Sequence, residues 1–481
     1  MNYKMIGRVM GQILAIEAVF LLPPMVIALA GGDWNGLAAF ALTLAILSAV
    51  GGGLWFACRK TGRLFGPREG MVCVSLGWVA MSALGCLPFV FSGAIPRYID
   101  AFFETVSGFT TTGSSVLAAP EALSGALLYW RSFTHWLGGM GVLVFLLAVA
   151  PGQGGFTMHL LRAESPGPDV GKLVPKMKKT ALILYLIYIA LTALNVLFLL
   201  ADGSMPLLQA VCTAFGTAGT GGLGVYGDSI MGCTPWVQNV TTVFMFLFGV
   251  NFSCYYLLLL GGFKSVFKDE ELRTYVLIAL AAVLGLVLSI RHLYDSLGET
   301  VRHAAFQVSS IMTTTGYATT DFDRWPMVSK GILLFLMVVG ACAGSTGGGF
   351  KVGRMLLVMK SLRRNIRKVA SPKRVDVVRL GGRPVSETVL DNANAFLSAY
   401  VVILVVAFLL VSLDGLDMTS TFTAVLACFN NIGPGLGAVG PTCNFAAFSD
   451  FSKVVLSICM LAGRLEIFPL LMLLSRGTWK K

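Results

Sequence analysis

Charge is what this chain has least of. Asp, Glu, Lys and Arg make up 12% of its 481 residues, and histidine occurs four times. That is about half the charged share of an ordinary soluble domain, so no separate water-soluble unit can be cut from it. Catalytic signatures are missing too. The sequence holds no CxxC pair and no Cys/His cluster, and the HExxH, GxSxG and P-loop patterns do not occur. Those gaps leave nothing to support a membrane-embedded enzyme built on a metal, an activated nucleophile or a phosphate cradle. What is present instead is apolar: 56% of residues are hydrophobic and the mean hydropathy is +0.78. Runs of about 20 apolar residues, each long enough to cross a ~30 Å hydrocarbon core as a helix, recur along the whole length. The class is an integral membrane protein.

The first thirty residues imitate a secretory signal, with early positive charges ahead of an apolar run. The run is too long for one, and Gly31 to Trp34 leads straight into a second span, so an uncleaved helical hairpin is expected. Ten cysteines are scattered singly. Eight fall in or beside apolar runs as small buried residues, while Cys233 and Cys443 lie in expected outer loops where a pairing is open. The formal charge of +12 is placed by topology rather than by nucleic acid. Basic residues gather at 59–68, 162–179 and 351–383, which marks those loops as cytoplasmic, whereas Asp202, Asp228, Asp321, Asp323, Asp414, Asp417 and Asp450 fall in the alternate, outward loops.

Spans are expected at roughly 5–30, 36–58, 71–94, 125–150, 180–201, 236–262, 274–291, 327–350, 388–412 and 451–474, ten crossings with both ends in the cytoplasm. The last eight form pairs, and each pair encloses a connection of 25 to 40 residues, longer than a helical hairpin needs. Every connection contains a short helical pattern followed by a Gly/Thr-rich stretch: VSGFTTTGS, VCTAFGTAGT, VSSIMTTTGY and VLACFNNIGP. Gly113, Gly219, Gly316 and Gly433 mark the repeat, 97 to 117 residues apart. Backbone that enters a membrane and returns without helical bonding is tolerated only where it packs in protein or lines water. Four such segments must therefore surround one cavity, and a ring of their carbonyls can replace the hydration shell of a monovalent cation. The organisation expected is an N-terminal hairpin over 1–70 and four repeats over 71–150, 151–262, 263–370 and 371–481, the third holding an intramembrane loop.

On these four loops, together with HWLGGMGVLVF at His135 to Phe145, GACAGSTGGGFKVGR at Gly340 to Arg354, NNIGPGLG at Asn430 to Gly437 and GRLEIFP at Gly463 to Pro469, the chain resembles the TrkH/KtrB/HKT superfamily of potassium transporters. Within it, the extra N-terminal hairpin favours the bacterial TrkH branch. The resemblance spans the full chain. It implies an all-α pseudo-tetramer of helix, pore loop, helix repeats in the bacterial inner membrane, pairing into a homodimer and resting on a cytosolic nucleotide-binding ring of the TrkA type. K+ would be the transported ion, with no organic cofactor. Carried over to this sequence, the coordinating carbonyls belong to Thr111, Thr112 and Gly113, to Thr314, Thr315 and Gly316, and to Asn431, Ile432 and Gly433. In the second loop two registers are open, ending on Gly219 or Gly221; Thr217, Ala218 and Gly219 are preferred because Val211 then matches Val308 and Val425 in spacing. None of the loops reads TVGYG, so some sodium permeation is expected.

The resemblance also assigns a gate. Gly344, Ser345, Thr346, Gly347, Gly348 and Gly349 interrupt a span with four glycines in six residues, a costly run in a straight helix at about 1 kcal/mol per glycine. In the family this is an intramembrane loop that blocks the path below the ring. Lys351 follows, either holding the loop or snorkelling to the surface. Arg464, in the last span, is either a positive constriction opposing the loop or one half of an ion pair with Glu466, although residues two apart on a helix do not face each other. His135 and Trp136 are expected to pack, Asn195, Asn251 and Ser253 to hydrogen-bond between helices, and His292 and His303 to be solvated. The basic segments 151–179, 263–273 and 353–386 either dock an acidic partner or satisfy topology and lipid headgroups. An alternating-access carrier with inverted repeats is the competing class, and it fits poorly because all four repeats run in the same sense.

Overall fold

The computed structural model describes residues 1–59, 66–141, 177–373 and 376–479. Tyr3–Phe20 and Leu22–Ala30 form one span, divided at Leu21 just ahead of Pro23 and Pro24, and a turn with Gly32 at φ 70° returns the chain into Trp34–Cys58. Asp33 starts that helix by accepting from the Gly36 amide at 2.8 Å, the usual way to satisfy an otherwise orphaned donor at a helix start. The two long hairpin helices meet backbone to backbone. A Cβ on Gly11 would run into the Gly51 carbonyl and the Trp55 backbone, the small-residue contact that membrane helices use in place of a hydrophobic driving force.

Four repeats follow, each a first helix, a short middle helix and a second helix. They are Pro67–Gly85, Tyr98–Phe109 and Gly125–Gly139; Met177–Leu200, Leu207–Gly219 and Pro235–Phe248; Glu270–Ile290, Leu297–Met312 and Met327–Val339; and Glu387–Val411, Met418–Phe429 and Asp450–Arg464. Ser124, Thr234 and Ser449 cap three of the second helices, while Ser296 and Asp417 cap two middle helices. The fold is all-α. Among the described residues the only strands are Arg379–Leu380 and Arg383–Pro384, an antiparallel hairpin in which Arg379 faces Pro384. Among the described residues six helices are long and apolar enough to span a bilayer, and a bent pair makes a seventh. The hairpin packs on the first repeat, so its first helix is 61% buried, whereas the first helices of the third and fourth repeats are 22% buried and present leucine and valine to lipid.

The second spans at 236–262 and 451–474 break where straight helices were expected, and the interruption expected at Gly344–Gly349 within 327–350 begins earlier, after Val339. Pro235–Phe248 turns by 87° into Phe252–Leu259, Met327–Val339 stops ahead of a non-helical stretch that resumes as Val352–Ala370, and Asp450–Arg464 breaks before Phe468–Leu474. The first repeat's second helix ends at Gly139; the remainder of the expected 125–150 span, the boundary at 150/151 and residues 151–176 lie outside the described residues. Broken helices free backbone groups that lipid cannot satisfy. Here the breaks satisfy one another: Cys342 N donates to Gly249 O at 3.1 Å, Phe252 N to Gly344 O at 3.0 Å and Val352 N to Ala341 O at 3.0 Å. All ten cysteines are free, so Cys233 and Cys443 are not joined.

The hairpin contact predicts a position-specific effect. Gly11→Leu should lower the apparent melting temperature of the detergent-solubilised protein by several degrees, whereas Gly52→Leu, where a Cβ meets nothing within 4 Å, should leave it unchanged. Equal thermal shifts for the two variants, read by loss of the monodisperse peak on heating, would refute the contact.

Candidate ion-conduction site

The middle helices end in four loops with one backbone pattern. Thr111, Thr220, Thr314 and Asn431 take left-handed φ values of 55°, 53°, 59° and 56°, and two residues on Gly113, Gly222, Gly316 and Gly433 take 85°, 69°, 85° and 96°. Between them the amides of Thr112, Gly221, Thr315 and Ile432 turn back onto the helix, donating to Ser107, Gly216, Ser310 and Ala427 at 2.8 to 2.9 Å. A left-handed residue other than glycine costs about 1–2 kcal/mol, so four at equivalent places mark a conformation that the surroundings impose.

These equivalences correct the register of the second loop. Neither Gly219 nor Gly221 occupies the position of Gly113, Gly316 and Gly433; Gly222 does. Thr217, Ala218 and Gly219 form the last turn of the middle helix, where Thr217 Oγ1 donates to Thr213 O at 2.8 Å. Val211 misleads because the residue that matches Val308 and Val425 is Ala214, three positions later. A run of glycines and small residues hides the slip. Residue type does not separate the two registers, since Thr217 precedes Gly219 by two residues just as Thr220 precedes Gly222.

The loops close into a ring. A Cβ on Gly113 would strike the carbonyl oxygen of Gly221, one on Gly222 that of Thr315, one on Gly316 that of Ile432, and one on Gly433 that of Thr112. Each glycine thus abuts the neighbouring loop's carbonyl, in cyclic order around four loops. Among the described residues, the carbonyls of 111–113, 220–222 and 314–316 accept no hydrogen bond, and in 431–433 only Gly433 O does, from Ser114 Oγ at 3.2 Å. Buried carbonyls without donors are rare. A stack of them about one axis suits a dehydrated cation.

Beneath the ring lies the segment 340–351, with Gly340, Gly344, Gly349 and Lys351 at positive φ. Gly348 N donates to Thr314 Oγ1 at 2.6 Å and Thr346 Oγ1 to Phe248 O at 3.3 Å, while Ser345 Oγ closes on Cys342 O at 2.6 Å. A Cβ at Gly347 would press on the Thr313 carbonyl. Lys351 is buried and folds back to donate to Gly347 O rather than reaching the surface. Glu271 accepts from Ala343 N at 2.6 Å and Gly353 N at 2.9 Å, fastening both ends of the segment. Arg464 crosses under the ring from the fourth repeat, donating to Thr346 O and Gly139 O at 2.8 Å each, to Gly138 O, and to Thr111 Oγ1 at 3.3 Å. Glu466 pairs instead with Arg354.

Other expectations shift in detail. Asn251 caps the short helix after the 87° turn, accepting from Ser253 N at 2.9 Å, rather than bridging helices. His303 belongs to the third middle helix, buried with Nδ1 2.8 Å from Thr319 Oγ1 and its ring stacked on Tyr294, so it is not a solvated loop residue. Trp136 packs as expected, on Phe133 and Tyr188. His135 does more: Nδ1 lies 2.6 Å from Gly108 O and Nε2 accepts from Leu223 N at 3.0 Å, joining the first middle helix to the second loop. Glu271 and the buried pair Glu104 and Arg131 were not singled out from sequence, although for Glu104 and Arg131 a charge among apolar residues was the available signal.

Fold and ring together define a polytopic membrane transporter for cations. A model of the TrkH family, described as a cation transport protein, matches residues 36–478. Among curated relatives, the Trk system potassium uptake protein TrkH of Salmonella typhimurium is 36% identical over the whole of both chains, and the Trk system potassium uptake protein TrkG of Escherichia coli is 33% identical over 100% of this chain and 99% of its own. The crystal structure of the potassium transporter TrkH from Vibrio parahaemolyticus superposes with a TM-score of 0.89 at 34% identity, covering all of both chains. The chain belongs to the TrkH family.

Proposed function

We propose that this protein takes up K+ across the bacterial inner membrane, with the carbonyls of Thr111–Gly113, Thr220–Gly222, Thr314–Gly316 and Asn431–Gly433 as its selectivity filter. The carbonyl ring, in which only Gly433 O accepts a hydrogen bond among the described residues, carries the reading, because it offers oxygen ligands in place of an ion's hydration shell and has little other bonding to lose. The names of its relatives supply the ion. The segment 340–351 and Arg464 form the gate: a guanidinium under the ring repels an entering cation, and its bond to Thr346 O locks the loop across the path. Both termini lie in the cytoplasm, as the basic loops indicate.

We further propose a homodimer regulated by a cytosolic TrkA-type ring. Support comes from the helix Val352–Ala370, which runs directly from the gate segment and exposes Arg363, Arg367 and Lys368. Part of the basic surface is already spent internally, since Lys360 pairs with Glu270 and Arg364 with Glu387.

Growth of a potassium-uptake-deficient bacterium at low potassium tests the transport reading. The wild-type chain with its cytosolic subunit should restore growth, Gly222→Ala should not, and Thr217→Val should behave as wild type; rescue by Gly222→Ala would refute the ring's register. Arg464→Ala should raise basal rubidium flux into proteoliposomes about tenfold or more, the scale of one lost charge-assisted bond, and unchanged flux would remove it from the gate. Neutralising Arg363, Arg367 and Lys368 together should abolish co-purification of the cytosolic ring; retention would sink that docking surface.

A further inference from the structure

The ring looks fourfold from its backbone, but one buried ion pair breaks that symmetry. Arg131, on the second helix of the first repeat, is 2% exposed, and Glu104, on the first middle helix, is 1% exposed. Arg131 Nε donates to Glu104 Oε1 at 2.7 Å. The two remaining arms of the guanidinium do not go to the carboxylate. Nη1 donates to Gly224 O at 2.7 Å and Nη2 to Ser115 Oγ at 3.0 Å. Ser115 Oγ in turn donates to Glu104 Oε1 at 2.9 Å, and Val116 N donates to Oε2 at 2.8 Å. Ser115 lies two residues beyond Gly113, and Gly224 two beyond Gly222. The pair therefore grips the same point on two adjacent loops, just past the ring.

Among the described residues no other repeat has this device. The positions that match Glu104, nine residues before the ring glycine, are Thr213, Gln307 and Ala424. Gln307 is buried and its side-chain oxygen and nitrogen have no partner among the described residues. Two consequences follow from placing a full cation and a full anion there. First, the separation of loops one and two is set by a rigid planar fork with directed donors, a tighter constraint than packing alone. Second, Arg131 puts a positive charge beside a path for positive ions, and only Glu104 offsets it. Buried charges that lose their partner are far more disruptive than pairs removed together.

We propose that Glu104 and Arg131 are positioning residues that determine selectivity: Arg131 fixes the spacing of the first two filter loops through Ser115 and Gly224, and Glu104 neutralises Arg131 so that the ring still attracts cations. This rests on the conduction reading above. The geometry separates the two roles. Removing Glu104 charge alone leaves the brace and unmasks a repulsive cation; removing both charges restores neutrality and loses the brace.

Proteoliposomes carrying the full chain, assayed for rubidium and sodium uptake, distinguish these effects. Glu104→Gln should raise the half-saturating rubidium concentration about tenfold, with a smaller change in maximal rate, as expected for an uncompensated charge near the site. The double variant E104Q/R131Q should return half-saturation towards wild type while lowering the rubidium-to-sodium uptake ratio about threefold or more, since the second loop is no longer held. Glu104→Asp should retain the wild-type half-saturation more closely than Glu104→Gln. Ser115→Ala carries no charge change and serves if the charged variants fail to fold; it should lower the uptake ratio, and a ratio equal to wild type overturns the brace. Half-saturation and ratio both unchanged in the folded charge variants overturn the proposal entirely. Wild-type proteoliposomes that admit no rubidium would instead refute the conduction reading itself.

Discussion

Backbone that is neither helix nor sheet cannot stand in a bilayer without partners, and among the described residues such backbone ends the four middle helices and recurs where the second spans break, the longest break being the segment 340–351. Everything else follows from how their peptide groups are satisfied. Amides fold inward onto the preceding helix turn, as Thr112, Gly221, Thr315 and Ile432 do, which leaves their carbonyls turned away from the donors. Those carbonyls become tolerable only when four loops face each other. A single repeat would be an unsatisfied fragment; four make a site.

The same accounting explains the broken second helices. A straight helix under each ring loop would keep its own bonds and offer nothing to the loop above. By breaking at Gly249, Gly340 and Arg464, the chain frees amides and carbonyls that bond across repeats, such as Cys342 to Gly249 and Phe252 to Gly344. Glycines 138 and 463 bring these helices so close to the middle helices that an added Cβ would strike the carbonyls of Phe109 and Phe429. Close approach and helix breakage are thus one design. Side chains then complete it, with Glu271 supplying the acceptor that the amides of Ala343 and Gly353 would otherwise lack.

Much of this was legible in sequence for a physical reason: apolar length, loop charge and repeated Gly/Thr stretches each respond directly to the bilayer. Three of the four loops could be placed from residue type, because Thr111, Thr314 and Asn431 are followed by an unambiguous glycine two positions on. The second could not, since Gly216, Gly219, Gly221 and Gly222 are interchangeable as letters and differ only in which one meets Thr315. Arg464 stood out as a charge in an apolar run. Arg131 and Glu104 stood out less, being 27 residues apart in separate helices, with a pairing fixed by tertiary approach. The helix break at Gly249 was hidden for the same reason, since a glycine in an apolar run reads equally as close packing, whereas four glycines in six residues at 344–349 marked the interruption in the third repeat.

Arg464 reaches from the fourth repeat to carbonyls of the first at Gly138 and Gly139 and of the third at Thr346. One side chain therefore joins three quarters of the molecule at a single level. A multimeric channel must coordinate separate subunits to open together, and partial openings are its natural failure. Here those contacts lie within one chain: under the gating proposed above, releasing the guanidinium would free three repeats at once, and the lower half of the pathway would act as a single switch.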